Sequence, residues 1–269
     1  MKKKVRDTIF DILESIYKQY NKREFVHPDP LEFLYSYTEK DDIELVGLIG
    51  SSLALGRVEK ILEAINKVLK PLGTKPSKKL RNLTKDELNA IYKGFIYRFF
   101  KTEDIVRLIM AIKEIQNRYS TIENLLYNIY KENGNFISSL DELITCMEKI
   151  NGAPFGILLP KPSNGSACKR LFLFLRWMIR KDDVDLGIWN RFAPSNLIVP
   201  MDTHMTDISL KLFNLRYSKN VSLKKAIEIT KYFSKSNKDD PVKYDFSLTR
   251  FGINREFKKE DLFTNILKR

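Results

Sequence analysis

Apolar residues return every three or four positions through most of this chain. Val5, Ile9, Leu13 and Ile16 fall on one face of a first helix, with charged residues opposite. The HPDP stretch at 27–30 ends it. A helix is predicted to restart at Pro30, because proline suits a first helical turn. Residues 42–70 predict an apolar helix, an interruption at Gly56 and Arg57, and an amphipathic helix that closes near Gly73. Residues 71–79 read as a basic loop. Thr84 with Glu87 three residues on is a capping box that opens another helix. Further helices are expected at 102–118, 120–132 and 138–149.

Between 151 and 168 the periodicity breaks. Gly152, Pro154, Gly156, Pro160, Pro162 and Gly165 predict a turn-rich hairpin that delivers the chain into a helix over 167–180. A second irregular stretch, 181–201, leads to a helix starting near Asp202, and two more follow at 222–236 and 240–251. No alternating strand pattern, internal repeat or low-complexity tract is present. The chain therefore reads as all-α.

Composition narrows the function. The 269 residues are 43% hydrophobic and 30% charged, a globular profile. The net charge of +13, from 47 basic and 34 acidic residues, favours a polyanionic partner, because Lys and Arg displace counterions from phosphates. A Lys-rich proteome is the plainer explanation of the same number. Two cysteines, Cys146 and Cys168, build neither a disulfide framework nor a four-cysteine cluster, so a reduced, cytoplasmic setting is expected. The first residues begin like a signal peptide, but Asp7, Asp11 and Glu14 interrupt any apolar core. The most apolar run, 171–179, contains Arg176 and is too short to span a bilayer, so no membrane partner is expected. With only His27 and His204, no zinc site is expected, and no metal or cofactor is called for.

Two segments carry candidate chemistry. In SACKRLFLFLRWMIRK, Lys169, Arg176 and Arg180 share one helix face with Leu173, while the other faces are apolar. A helix this apolar must be largely buried, and unpaired buried charge is costly. Either acidic partners such as Asp182, Asp183 or Asp185 satisfy the stripe, or it lines a cleft for a phosphate or a base. Lys169 sits in the first turn beside Arg170. The helix dipole and the neighbouring cation both favour the neutral, nucleophilic amine there. In NLIVPMDTHM, Asp202 fits the N-cap of the next helix, where backbone N–H groups keep a carboxylate ionised. A fixed carboxylate of this kind suits stabilising an oxocarbenium-like sugar; a plain helix cap is the alternative. His204, two residues on, is of a kind more often a satisfied structural histidine than a catalyst.

Together these elements resemble the helix-hairpin-helix DNA glycosylases, the superfamily of endonuclease III and the oxoguanine glycosylases. A hairpin, a lysine at a helix start, an apolar helix and then VPMDTHM follow in that family's order. By this resemblance Asp202 maps to the catalytic aspartate and Lys169, in GSACKRLFLF, to the Schiff-base lysine. YKGFIYRFF at 92–100 resembles the family's glycine-tyrosine-arginine turn, and LIGSSLALGR at 48–57 the helix and turn that carry a base-gap-filling loop, with Leu55 or Arg57 in that position. The likeness runs over residues 28–255. Over its full length the chain is also similar to an uncharacterised, mainly bacterial family of unknown function, with SACKRLFLFLRWMIR, DLGIW, VPMDTHM and DPVKYDFSLTRFGI as hallmarks. The hairpin LLPKPSNGSACK is longer than the glycosylases' L-P-G-V-G-x-K and lacks its paired glycines. Asp202 follows Lys169 by 33 residues, a spacing nearer to the archaeal oxoguanine glycosylases than to endonuclease III.

The resemblance implies a two-lobed helical bundle with a basic cleft. Residues 28–200, with the hairpin at about 151–180, would form one lobe, and 1–27 with 201–269 the other, in a single monomeric catalytic unit. It implies a DNA glycosylase with AP-lyase activity acting on double-stranded DNA that contains a damaged base, an oxidised purine such as 8-oxoguanine, in the nucleoid. Lys169 would attack C1′ and Asp202 would stabilise the developing charge. Arg57, Arg98, Arg170, Arg176 and His204 are the candidate phosphate contacts. Phe172, Trp177, Trp189 and Phe192 are candidate stacking surfaces for the flipped base, with core packing as their other role. Two other functions remain open: a non-catalytic binder of DNA or of lesions on the same fold, and a helical protein-interaction module.

Overall fold

The computed structural model describes residues 3–216 and 221–253. It is mostly helical, and the chain divides into two compact units, one of residues 29–164 and one of residues 1–28 with 165–269.

In the 29–164 unit, Asp29 caps a 3-10 turn over Pro30–Ser36, so the predicted restart at Pro30 is a tighter helix than expected. Helix α2 (Lys40–Ser52) is buried from Asp42 to Ser52, and α3 (Val58–Leu69) follows the turn at Gly56 and Arg57. The stretch 71–79 is not all loop: α4 spans Pro76–Arg81, and the Asp42 carboxylate accepts from Ser77 N–H at 2.7 Å. Pro76 at the first position is the local sign of this helix, while the carboxylate that supports its start comes from α2. The capping box at Thr84 is present and opens α5 (Lys85–Ile91). Strands β1 (Ile96–Tyr97) and β2 (Phe100–Lys101) form a short antiparallel hairpin with Arg98 and Phe99 at its tip. Helices α6 (Thr102–Tyr119), α7 (Ile122–Asn133) and α8 (Phe136–Asn151) pack on one another around Ile105, Leu108, Ile112, Leu126, Leu140 and Ile144. Glu44 of α2 accepts from Ile122 and Glu123 N–H, placing a carboxylate at the positive end of α7.

The second unit holds α1 (Lys3–Tyr20), α9 (Lys169–Ile179), α10 (Thr203–Leu212), α11 (Leu223–Phe233) and α12 (Asp245–Ile253). α12 packs on both α1 and α10. The division between units falls at 164/165, upstream of the boundary at 200 that the sequence suggested. The reason lies on α9: Arg176 is ion-paired to Asp245 at the start of α12, and Arg180 reaches the Tyr17 hydroxyl on α1. The 181–201 stretch does not displace α9 from α10. It doubles back at Lys181–Leu186, and Gly187 N–H and Trp189 N–H donate to the Trp177 and Met178 carbonyls. Gly187 has φ +56°, and a Cβ there would sit 2.4 Å from the Lys181 Cβ, so only glycine fits. At the other end of α9, Ser166 bridges Ser222, and Leu223 N–H donates to the Gly165 carbonyl.

Candidate functional site

Cys168 ends the hairpin in a left-handed conformation, φ +47°, and Lys169 is the first residue of α9. Asp202 is the N-cap of α10, and its Oδ1 accepts from Met205 N–H at 2.7 Å, the capping geometry that VPMDTHM predicts. The second oxygen faces the lysine: Lys169 Nζ lies 3.2 Å from Asp202 Oδ2. Two residues 33 positions apart in the chain thus meet at the starts of two helices of one unit. Neither is sealed in. The Lys169 side chain is 34% exposed and that of Asp202 19%. Burial pushes the Asp202 carboxyl upward, but the Lys169 ammonium, the Met205 N–H and the charge of His204 outweigh it and hold Asp202 below the usual carboxylate range. The arrangement offers a primary amine and an ionised carboxylate, in contact and both partly exposed.

The rest of the cationic stripe turns inward. Arg176 is 2% exposed and pairs with Asp185 at 3.2 Å and with Asp245. Arg180 pairs with Asp240 at 2.8 Å, Asp185 at 3.1 Å and Asp182. Asp182 also accepts from the N–H groups of Val184 and Asp185. Burial pushes Asp185 up to about 6 despite its two guanidinium partners. Three carboxylates hold Arg180 well above its ordinary value against the effect of burial. Arg176 is therefore not a phosphate contact; its charge is spent inside the unit. Arg170 is buried as well, and burial pulls its guanidinium down to about 10. The partners Asp182 and Asp185 were within reach of sequence reasoning, being in the loop that follows the helix. Asp240 and Asp245, some sixty positions further on, were not.

The aromatic candidates are also core. Phe172 and Trp177 are fully buried, and Trp189 and Phe192 nearly so. Trp189 packs edge-on to Phe174 with ring centroids 5.5 Å apart, and tilted against Phe192. None of the four presents a face on which a base can stack. Their packing closes the 181–201 loop onto α9.

Arg57 and Arg98 belong to the other unit, and both are exposed. The Tyr97 hydroxyl donates to the Leu55 carbonyl at 2.7 Å, and the Gly56 turn abuts the Arg98 side chain. The two arginines therefore sit on adjoining turns. Arg98 also lies over the ring of Phe99, which is 65% exposed. His204, on the first turn of α10, is partly exposed. A groove of about 520 Å³ elsewhere in the 29–164 unit, walled by Lys85, Arg107, Met110, Tyr119 and Cys146, contains none of the candidate residues. Among the described residues no helix is long and apolar enough to cross a membrane. No group of three or more His, Cys, Asp or Glu among them is placed to hold a metal ion.

These features define a mostly helical protein that opens a lysine–aspartate pair at two helix starts. The chain belongs to the family DUF2400, described as a protein of unknown function, whose model matches residues 29–254. No curated protein and no solved structure matches the chain.

Proposed function

We propose that the protein is a DNA glycosylase with AP-lyase activity. The observation that carries this reading is the Lys169–Asp202 contact of 3.2 Å at the paired starts of α9 and α10, with both side chains partly exposed. The order of hairpin, lysine helix and VPMDTHM, which resembles the helix-hairpin-helix glycosylases, and the net charge of +13 support it.

In this mechanism Lys169 first gives up the proton it carries beside Asp202, which passes to the departing base, and the freed amine attacks C1′ of the damaged nucleotide as the bond from C1′ to the base breaks. The base leaves with that electron pair and takes up a proton. Asp202, held ionised by its cap and its lysine, stabilises the positive charge that develops on the sugar. Opening of the sugar ring gives a Schiff base between Lys169 and C1′. Loss of a C2′ proton then expels the 3′ phosphate and cuts the strand. An oxidised purine such as 8-oxoguanine is the proposed base, from the 33-residue spacing between Lys169 and Asp202. Arg57, Arg98 and His204 remain as phosphate contacts. The test is a panel of duplexes, each with one modified base, assayed for released base and for strand cleavage. Cleavage confined to one class of lesion and lost in Lys169→Gln is expected. Salt-dependent binding with no base released from any duplex would instead leave a non-catalytic DNA binder.

A further inference from the structure

Helix α6 carries a second face besides the one it buries. Arg107, Met110, Glu114 and Arg118 recur along it at steps of three and four residues, and none of them is fully buried. This face is one wall of the groove of about 520 Å³, and α8 supplies another with Cys146, Lys149 and Ile150. The groove follows α6 from Arg107 to Tyr119, about 18 Å at 1.5 Å per residue. A second hollow of about 480 Å³ borders the same Tyr119, Leu125 and Cys146. Met110, Leu125 and Ile150 give the groove an apolar lining, and Tyr119 is 38% exposed. Its walls hold four cations and one carboxylate. The carboxylate, Glu114, is taken by Arg118. Arg107 is held by Asp104 and by the Pro154 carbonyl, yet its Nε is buried with no hydrogen-bond partner. Lys85 and Lys149 make no ion pair with any described residue. Pro154 follows the end of α8 by three residues, so Lys149 lies toward the Arg107 end of the groove, and Tyr119 and Leu125 line the opposite end.

We propose that this groove binds a free mononucleotide, with the phosphate at the Arg107 and Lys149 end, Lys85 beside it, and the base toward Tyr119 and Leu125. Unmatched positive charge in an apolar hollow suits a ligand with an anionic head and a flat apolar body. The volume falls in the range of small-molecule sites, roughly 300–1,000 Å³. Two unmatched ammonium groups and one unsatisfied guanidinium N–H match a phosphate monoester, which carries close to two negative charges. A phosphodiester within a strand carries one and would leave an ammonium unmatched. An exposed tyrosine ring is a surface on which a base stacks. The inference does not rest on the glycosylase reading: the groove belongs to the 29–164 unit, and neither Lys169 nor Asp202 lines it.

Cys146 reports on occupancy. It lines both hollows, whereas Cys168 is 1% exposed. Burial and Glu142 push the Cys146 thiol upward, so the whole protein is alkylated with iodoacetamide at about pH 9, at constant ionic strength, and the Cys146 peptide is followed by mass spectrometry. Adenosine monophosphate is expected to slow the reaction severalfold and saturably. Adenosine and inorganic phosphate at the same concentration are expected to protect far less. Lys85→Ala combined with Lys149→Ala should raise the concentration for half protection about tenfold. Both lysines are exposed, so their replacement leaves the fold standing. Lys60→Ala, also exposed on this unit but outside the groove, should not move it. No slowing by millimolar adenosine monophosphate, or undiminished protection in the double variant, overturns the proposal. Protection by inorganic phosphate as strong as by the nucleotide would show an anion site with no place for a base. Protection by a 5′-phosphorylated oligonucleotide at lower concentration than the nucleotide would give the groove to a strand end. Either result overturns it as well.

Discussion

At Asp202 two jobs fall on one carboxylate, and its two oxygens divide them. Oδ1 caps α10 and Oδ2 meets Lys169. Asp202→Asn keeps a good cap, so thermal stability should change by less than about 1 kcal/mol. Loss of the negative charge beside a developing cation should lower the rate of base release about a hundredfold. Equal rates in single-turnover assays of the two proteins would contradict this. The pH dependence follows from the same pair. The folded carboxyl lies below its unfolded value, so its contribution to stability is complete above the unfolded value and fades as pH falls through the folded one. Lys169→Met removes the main opposing charge and should move the acid limb of unfolding to higher pH, read by circular dichroism between about pH 5 and 2. These two residues were legible in the sequence because a helix start and an N-cap are local patterns. The aromatic candidates and the two arginines of α9, Arg170 and Arg176, misled for the opposite reason. Whether Trp189 or Arg176 faces a ligand or a core depends on residues elsewhere in the chain, and here Phe174 and Asp245 claim them.

Among the elements, α9 shows how a helix with cations at 169, 176 and 180 can be buried. Only its first charge is open to solvent; the other two are neutralised by Asp182, Asp185, Asp240 and Asp245. Breaking such a cluster from one side leaves unpaired carboxylates in the interior. Arg180→Met should therefore cost about 3–5 kcal/mol in urea unfolding, far more than loss of an exposed pair such as Lys60–Glu63, worth about 0–1 kcal/mol. A loss below about 1 kcal/mol would mean the cluster does not hold α9. The apolar period placed the main helices, and Thr84 with Glu87 fixed one start outright. α4 was missed because proline and lysine read as a loop, while its support, Asp42, comes from another helix. The two-residue strands were too short to leave any alternation.

For the molecule as a whole, fold class was readable from periodicity, but the C-terminal limit of the 29–164 unit was not. The chain leaves the unit of α1 at Pro28 and returns to it at Gly165, and the ion pair between Arg176 of α9 and Asp245 of α12 ties α9 into that unit. Net charge acts at this scale too. Each phosphate contact made releases a counterion and steepens the fall of log affinity with log salt by about 0.9. Replacing Arg57 and Arg98 together by alanine should thus flatten that slope by about 2 on undamaged duplex, whereas Arg176→Met should leave it unchanged. The central claim is covalent chemistry at Lys169, and borohydride trapping on a duplex with one abasic site tests it most directly. A stable protein–DNA adduct is expected, with the modified peptide carrying Lys169, that disappears in Lys169→Gln while binding persists. No adduct in the wild type at saturating DNA, or an adduct that survives in Lys169→Gln, would contradict it.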